Sequence, residues 1–111
     1  MSSITDEYMR GMLGKTLPYT IMVLHKTSKI GESGMDRVVW EHGRRNFQFR
    51  QARKMNIVLP VRDESDLAGF IVFSTDIEET RKIMDEDPGV RAGIFTYELH
   101  TTRSFRGDAL L

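Results

Sequence analysis

The chain has 111 residues, with 40% hydrophobic and 29% charged side chains, enough apolar mass for one core and one domain. Lys and Arg number 16 and Asp and Glu number 16, so the formal net charge is zero, which argues against a nucleic-acid or membrane-surface protein. The absence of Cys excludes disulfides, thiolate metal ligands and a Cys nucleophile.

The opening residues, MSSITDEYMRGML, carry two acids and no apolar run of signal-peptide type. No apolar stretch approaches the roughly 20 residues of a membrane span. A soluble, cytoplasmic protein is expected. Residues 4–14 read as a short helix, with Ile4, Tyr8 and Met12 on one side and Gly14 as its stop. Pro18 precedes a first strand, YTIMVLHKT at 19–27, and SKIGESG follows as a turn.

The spacing then predicts a helix from about Met35 to about Met55, capped by Ser33. Met35, Val38, His42, Arg45, Phe49 and Ala52 share one stripe of it, while Trp40 and Phe47 flank Gly43 on the opposite side. That second apolar patch needs a partner, either the N-terminal segment or another subunit. NIVLPV at 56–61 and LAGFIVFS at 67–74 read as strands. Thr75 and Glu78 form a T-x-x-E capping box for a helix ending near Asp85. Asp87-Pro88-Gly89 reads as a type II turn with Gly89 at positive φ. A last strand covers roughly 90–102.

The order β-α-β-β-α-β is the ferredoxin-like arrangement: an α+β fold with a four-stranded antiparallel sheet and two helices on one face, preceded by an extra helix. Residues 1–17 are the helical extension, 18–102 the core and 103–111 a tail of one domain spanning 1–111. IMVL, IVLPV and FIVF are apolar on both parities, so both sheet faces require burial. A second copy packed sheet to sheet is the simplest solution, because the N-terminal helix is too short to cover four strands. A homodimer is therefore expected, with Trp40 and Phe47 available for a higher oligomer.

His42 is the leading candidate for acid/base chemistry, since His titrates near neutrality. A core-facing His with a backbone or carboxylate partner fits the same pattern. Asp87 is a candidate carboxylate, although Asp is also favoured at the first position of a turn. His25, His42 and His100 lack metal-ligand spacing, so no metal or other cofactor is expected. No nucleophile elbow, Walker loop or dinucleotide fingerprint is present. RRNFQFRQARK at 44–54 is basic, but its charges fan around the helix as a solvated surface would. An RNA-recognition motif stacks bases on alternate aromatics. Phe70 and Phe73 are three apart and so fall on opposite faces.

DEDPGVRAGIFTYEL at 85–99 resembles the signature of the YciI-like (YCII-related) family, in which Asp-Pro closes the second helix and an Ala-Gly-hydrophobic run opens the last strand. His42, followed eighteen residues later by Pro60 at the end of NIVLP, is the second point of likeness. The resemblance covers about 19–102. Leu59 stands where the family has Gly, and the N-terminal extension is additional. The resemblance implies a dimeric α/β barrel, with His42 and Asp87 as the active-site pair. One branch of that family removes chloride from a chlorinated hydroxyhydroquinone, muconolactone isomerase shares the barrel, and most members have no assigned reaction. Proton transfer on a small cyclic or aromatic compound is the chemistry implied. Arg45, one turn beyond His42, is placed to bind an anionic group of a small-molecule ligand. A noncatalytic ligand-binding or stress-associated barrel would use the same pair.

Overall fold

The computed structural model describes residues 3–111. Its elements are α1 (Asp6–Leu13), β1 (Thr16–Lys26), a 3₁₀ turn (Ser28–Gly31), α2 (Met35–Gln51), β2 (Met55–Pro60), β3 (Leu67–Phe73), α3 (Ile77–Asp85), α4 (Pro88–Arg91) and β4 (Phe95–Phe105). The strands form one antiparallel sheet in the order β2–β3–β1–β4, the ferredoxin-like order.

The sheet has two faces of different character. Thr20, Met22 and Leu24 of β1, Ile71 and Phe73 of β3 and Met55 of β2 are buried, and all but Thr20 form an apolar cluster with Ile83 and Met84 of α3. Val38, Val39 and Phe49 of α2 close the same layer. The other face carries two rows set by the strand register. One runs Ile57–Val72–Ile21–His100 and the next Leu59–Phe70–Val23–Glu98. Each is apolar over three strands and polar on β4. Phe73 is fully buried beneath the helices whereas Phe70 is on the open face, so the two aromatics do not form a stacking platform.

Several boundaries differ from the sequence reading for local reasons. Gly34, left-handed at φ 85°, precedes α2 in place of the expected Ser33 cap and makes no side-chain bond. α2 ends at Gln51, short of Met55, in a Schellman motif: Lys54 N–H donates to Phe49 O and Arg53 N–H to Arg50 O. Arg53 takes the left-handed conformation there, at φ 60°. Asp76, not Thr75, caps α3 by accepting from Glu79 N–H at 2.8 Å. Thr75 turns inward instead. Its hydroxyl meets that of Thr80 at 2.6 Å, and its carbonyl accepts from the Thr20 hydroxyl at 2.8 Å.

Asp87-Pro88-Gly89 is a one-turn helix start and not a type II turn. Asp at the N-cap with Pro at the first helical position is itself a helix-initiating pair. Positive φ falls on Gly93, where the chain leaves α4. β4 consequently starts at Phe95, five residues later than expected. It runs on to Phe105, so residues 103–105 belong to the strand and not the tail. There β1 and β4 extend beyond β3 as a two-stranded ribbon, pairing Thr16 with Phe105. Pro18 lies inside this ribbon, tolerated because β3 pairs with β1 only from Thr20 onward. α1 continues from the ribbon and buries none of its residues. The molecule is correspondingly long, 57 × 29 × 21 Å. No helix among the described residues is long and apolar enough to cross a membrane.

Candidate functional site

His42 and Asp87 lie 45 positions apart in sequence and meet beneath α2. Both are buried, at 8% and 1% exposure. α2 presents His42 on its inner stripe, and the α3–α4 junction presents Asp87 as the cap of α4. His42 Nδ1 lies 2.8 and 2.9 Å from the two carboxylate oxygens. The Oδ2 atom also accepts from Gly89 N–H at 3.0 Å and Val90 N–H at 3.2 Å. A carboxylate surrounded by N–H donors acts as an acceptor only, so Nδ1 carries the proton it donates. Nε2 is left with the lone pair.

Nε2 points the other way, where Asn46 Nδ2 donates to it at 3.3 Å. Asn46 is the residue at i+4 from His42, on the same face of α2. That spacing was the available signal for it, and the sequence reading did not use it. A cavity of about 260 Å³ opens here, lined by His42, Asn46, Val39, Met22, Pro60 and Phe95 among others. Its wall is predominantly apolar. The Phe95 ring rests against the imidazole, with centroids 4.7 Å apart and planes inclined by 51°.

Two glycines set these distances. A Cβ on Gly89 would lie 2.4 Å from Phe95 Cδ2 and 3.1 Å from Asp87 Oδ2. Only glycine lets α4 lie this close to the ring that packs on His42. A Cβ on Gly69 would lie 3.0 Å from Leu59 O. The close backbone approach at the end of β2 therefore comes from Gly69, the β3 partner of Pro60, with Leu59 retained on β2.

Arg45 is not among the residues lining the cavity. Its Nη1 donates to Ile83 O at 2.6 Å and stands 3.8 Å from Asp87 Oδ1. Its Nη2 is 3.8 Å from Glu86, and its guanidinium lies 4.8 Å above the Phe49 ring. The guanidinium is thus held behind the pair, against the end of α3, and not towards the space a ligand would fill. Arg45, the residue placed by its helical stripe as an anion-binding candidate, spends one guanidinium nitrogen on Ile83 O at the end of α3.

His25 and His100 lie away from the cavity, on the open face of the sheet. Each places Nε2 2.9 Å from a different oxygen of Glu98. The bond from His25, then that from His100, holds the Glu98 carboxyl below the usual carboxylate range. Among the described residues no cluster of three His, Asp or Glu is arranged to hold a metal ion.

No family model matches the chain, and no curated protein matches it. Among solved structures the chain is similar to 5-chloro-2-hydroxyhydroquinone dehydrochlorinase from Burkholderia phenoliruptrix AC1100, in complex with 2,5-dihydroxybenzoquinone. The two share 16% sequence identity with a TM-score of 0.49, over 80% of this chain and 95% of that one.

Proposed function

We propose that the chain is a YciI-like small-molecule enzyme in which the His42–Asp87 pair moves a proton, in an isomerisation or elimination on a small cyclic or aromatic compound. The observation that carries this reading is the bidentate hold of Asp87 on Nδ1 with Nε2 turned towards an apolar cavity. The Nε2 lone pair takes a proton from a ligand carbon or hydroxyl, displacing the Asn46 amide. Asp87 stabilises the imidazolium so formed. In an isomerisation the same nitrogen returns the proton to a different ligand atom. In an elimination a leaving group departs as the new double bond forms. The apolar walls keep water from competing for the proton. Arg45 acts as a positioning residue, holding the end of α3 and the Asp87 carboxylate in register.

The assembly belongs to the same proposal. Two apolar rows on an uncovered sheet face need a second sheet, and a homodimer packed sheet to sheet supplies it. A cytoplasmic location accords with the Cys-free composition.

The reading is tested with a panel of hydroxylated aromatic and cyclic lactone compounds in deuterated water. Solvent deuterium should enter a ring position in the presence of the protein and fail to enter with His42→Gln. Equal incorporation by both proteins would overturn it. The competing reading, a noncatalytic binding protein, is favoured by one observation: Asn46 already occupies Nε2. It predicts perturbation of the His42 ring resonances by a ligand, with no deuterium incorporated.

A further inference from the structure

Among the described residues, neither the outer face of α2 nor the apolar face of α1 has a partner. Trp40 and Phe47 are 64% and 69% exposed. Between them lies a groove of about 340 Å³, floored by Val39 and Gly43 and flanked by Asp36 and Arg44. A Cβ on Gly43 would meet nothing within 4 Å, so the floor is open space and not a packed contact. No residue of α1 lines the groove, so the N-terminal helix does not cover Trp40 and Phe47 in its own chain.

α1 itself is eight residues long and buries none of them. Isolated helices shorter than about 12–15 residues are marginal in water, yet α1 is formed over Asp6–Leu13. The Thr5 hydroxyl caps it by accepting from Tyr8 N–H at 3.0 Å. Tyr8, Met9 and Leu13 are exposed large apolar groups on a contiguous arc of the helix, with Ile4 just before the cap. Its far end is tied to the ribbon: Lys15 N–H donates to Met12 O, and the Thr16 hydroxyl to Leu13 O. α1 thus continues the ribbon as an arm that buries none of its own residues.

We propose that the α1 arm of one copy docks in the α2 groove of a second copy. The dimensions agree. Asp36 to Phe47 spans about 16 Å of helix axis and α1 about 12 Å, at 1.5 Å per residue. The charges agree in the antiparallel sense. Asp6, at the edge of the apolar arc, then lies towards the Arg44 end of the groove and Arg10 towards the Asp36 end, while Glu7 falls on the solvent side. The two helix dipoles also oppose in that orientation. A Tyr8 or Met9 side chain enters the space above Gly43, between the two aromatic walls. This contact is separate from the sheet-to-sheet contact and joins copies through their opposite surfaces.

The only tryptophan in the chain is Trp40 itself, which gives a direct readout. A chain lacking residues 1–14 keeps Trp40 but has no arm, and a Trp40→Phe chain keeps the arm but has no tryptophan. In wild type, quenching of Trp40 by acrylamide should be weak and should strengthen on dilution. In the truncated chain it should be strong at every concentration. Adding the Trp40→Phe chain to the truncated one should restore the shielding, which can arise only between copies. Gly43→Met in the truncated chain fills the groove and should abolish that restoration. If truncation prevents folding, a Tyr8→Lys/Met9→Lys chain takes its place. Equal quenching of wild-type and armless chains, or failure of the Trp40→Phe chain to restore shielding, overturns the proposal. So does restoration that survives Gly43→Met. An armless chain still shielded at high concentration would instead mark α2-to-α2 packing, and equally overturns it.

Discussion

Both carboxylate oxygens of Asp87 lie within 2.9 Å of His42 Nδ1, while one of them also accepts the first two free N–H groups of α4. One side chain thus caps a helix and orients an imidazole. In Asp87→Asn those duties conflict, because the amide has one acceptor and one donor end. If its oxygen keeps the Gly89 and Val90 N–H groups, its NH₂ faces Nδ1, which must then become the acceptor. The proton should move to Nε2. Nitrogen-15 NMR of the His42 ring should report the Nδ1–H tautomer in wild type and the Nε2–H tautomer in Asp87→Asn. An unchanged tautomer would remove the orienting role. Any activity found for the wild type should fall by about 10²–10⁴-fold in this variant.

Gly89→Ala should disturb the same site from the opposite side. Its Cβ collides with the Phe95 ring, 2.4 Å away, so the ring that packs on His42 must shift. Overpacking of this kind costs about 1–3 kcal/mol. Denaturant unfolding should show that loss, and the His42 ring protons should lose the shielding that the aromatic neighbour provides. A variant of unchanged stability and unchanged His42 shifts would contradict the tight packing described.

Arg53 makes the reverse case. It occupies the left-handed position of a Schellman motif, where glycine is the usual residue. Relief of that conformation gains about 1–2 kcal/mol, and the extra freedom of glycine when unfolded returns about 0.4–1 kcal/mol. Arg53→Gly should therefore raise the melting temperature by about 2–6 °C. A lower melting temperature would show that the Arg53 side chain contributes more than its backbone costs.

Val23 sits at the centre of the Leu59–Phe70–Val23–Glu98 row on the open face. A lysine there would bury a charge in a sheet-to-sheet dimer beside Glu98, whose two oxygens are already engaged by His25 and His100, and would only touch water in a monomer. Sedimentation at micromolar concentration should show wild type as a dimer and Val23→Lys as a folded monomer. A wild-type monomer with a stable fold would refute the sheet contact.

The pH dependence at the alkaline end should trace to Tyr97. Burial, and then its hydrogen bond to the Asp85 carboxylate, push the phenol up to about 12. The folded state holds this proton more tightly than the unfolded chain, whose phenol titrates near 10. The stabilisation is complete below about pH 10 and is lost as pH rises towards about 12. Thermal melts across that window should fall more steeply for wild type than for Tyr97→Phe. Absorbance titration should show one of the three tyrosines ionising last. Parallel melting curves would assign the alkaline loss to other groups.

Most of the fold was legible because its signals are local. Apolar runs of strand length, a long stretch without Pro and a capping pattern each concern neighbours in sequence. The errors are local too, and they arise where two signals compete. Thr75 and Asp76 are both good caps, and the carboxylate won. Asp87-Pro88-Gly89 satisfies both a type II turn and a helix start, and the partners waiting in the core chose the helix. The candidate site was legible in part. His42 was visible as a core-facing residue and Asp87 as an element boundary; Asn46 had only its i+4 spacing from His42 as a signal, and Gly89 and Phe95 carried none of their own.

The amino-acid sequence by itself determined the β-α-β-β-α-β order, the two-sided apolar strands and the placement of His42 on the inner stripe of α2, because periodicity and turn chemistry need only near neighbours. Periodicity and turn chemistry could not bring His42 and Asp87 together, a pairing that only the family resemblance implied; the tertiary structure decided their contact, the turn of Arg45 to Ile83 O and away from the cavity, and the separation of α1 from Trp40. These outcomes depend on how closely elements distant in sequence approach one another. That approach is set by such details as the missing Cβ of Gly89 and the run of β1 beyond β3, which become specific only when the whole sheet has assembled.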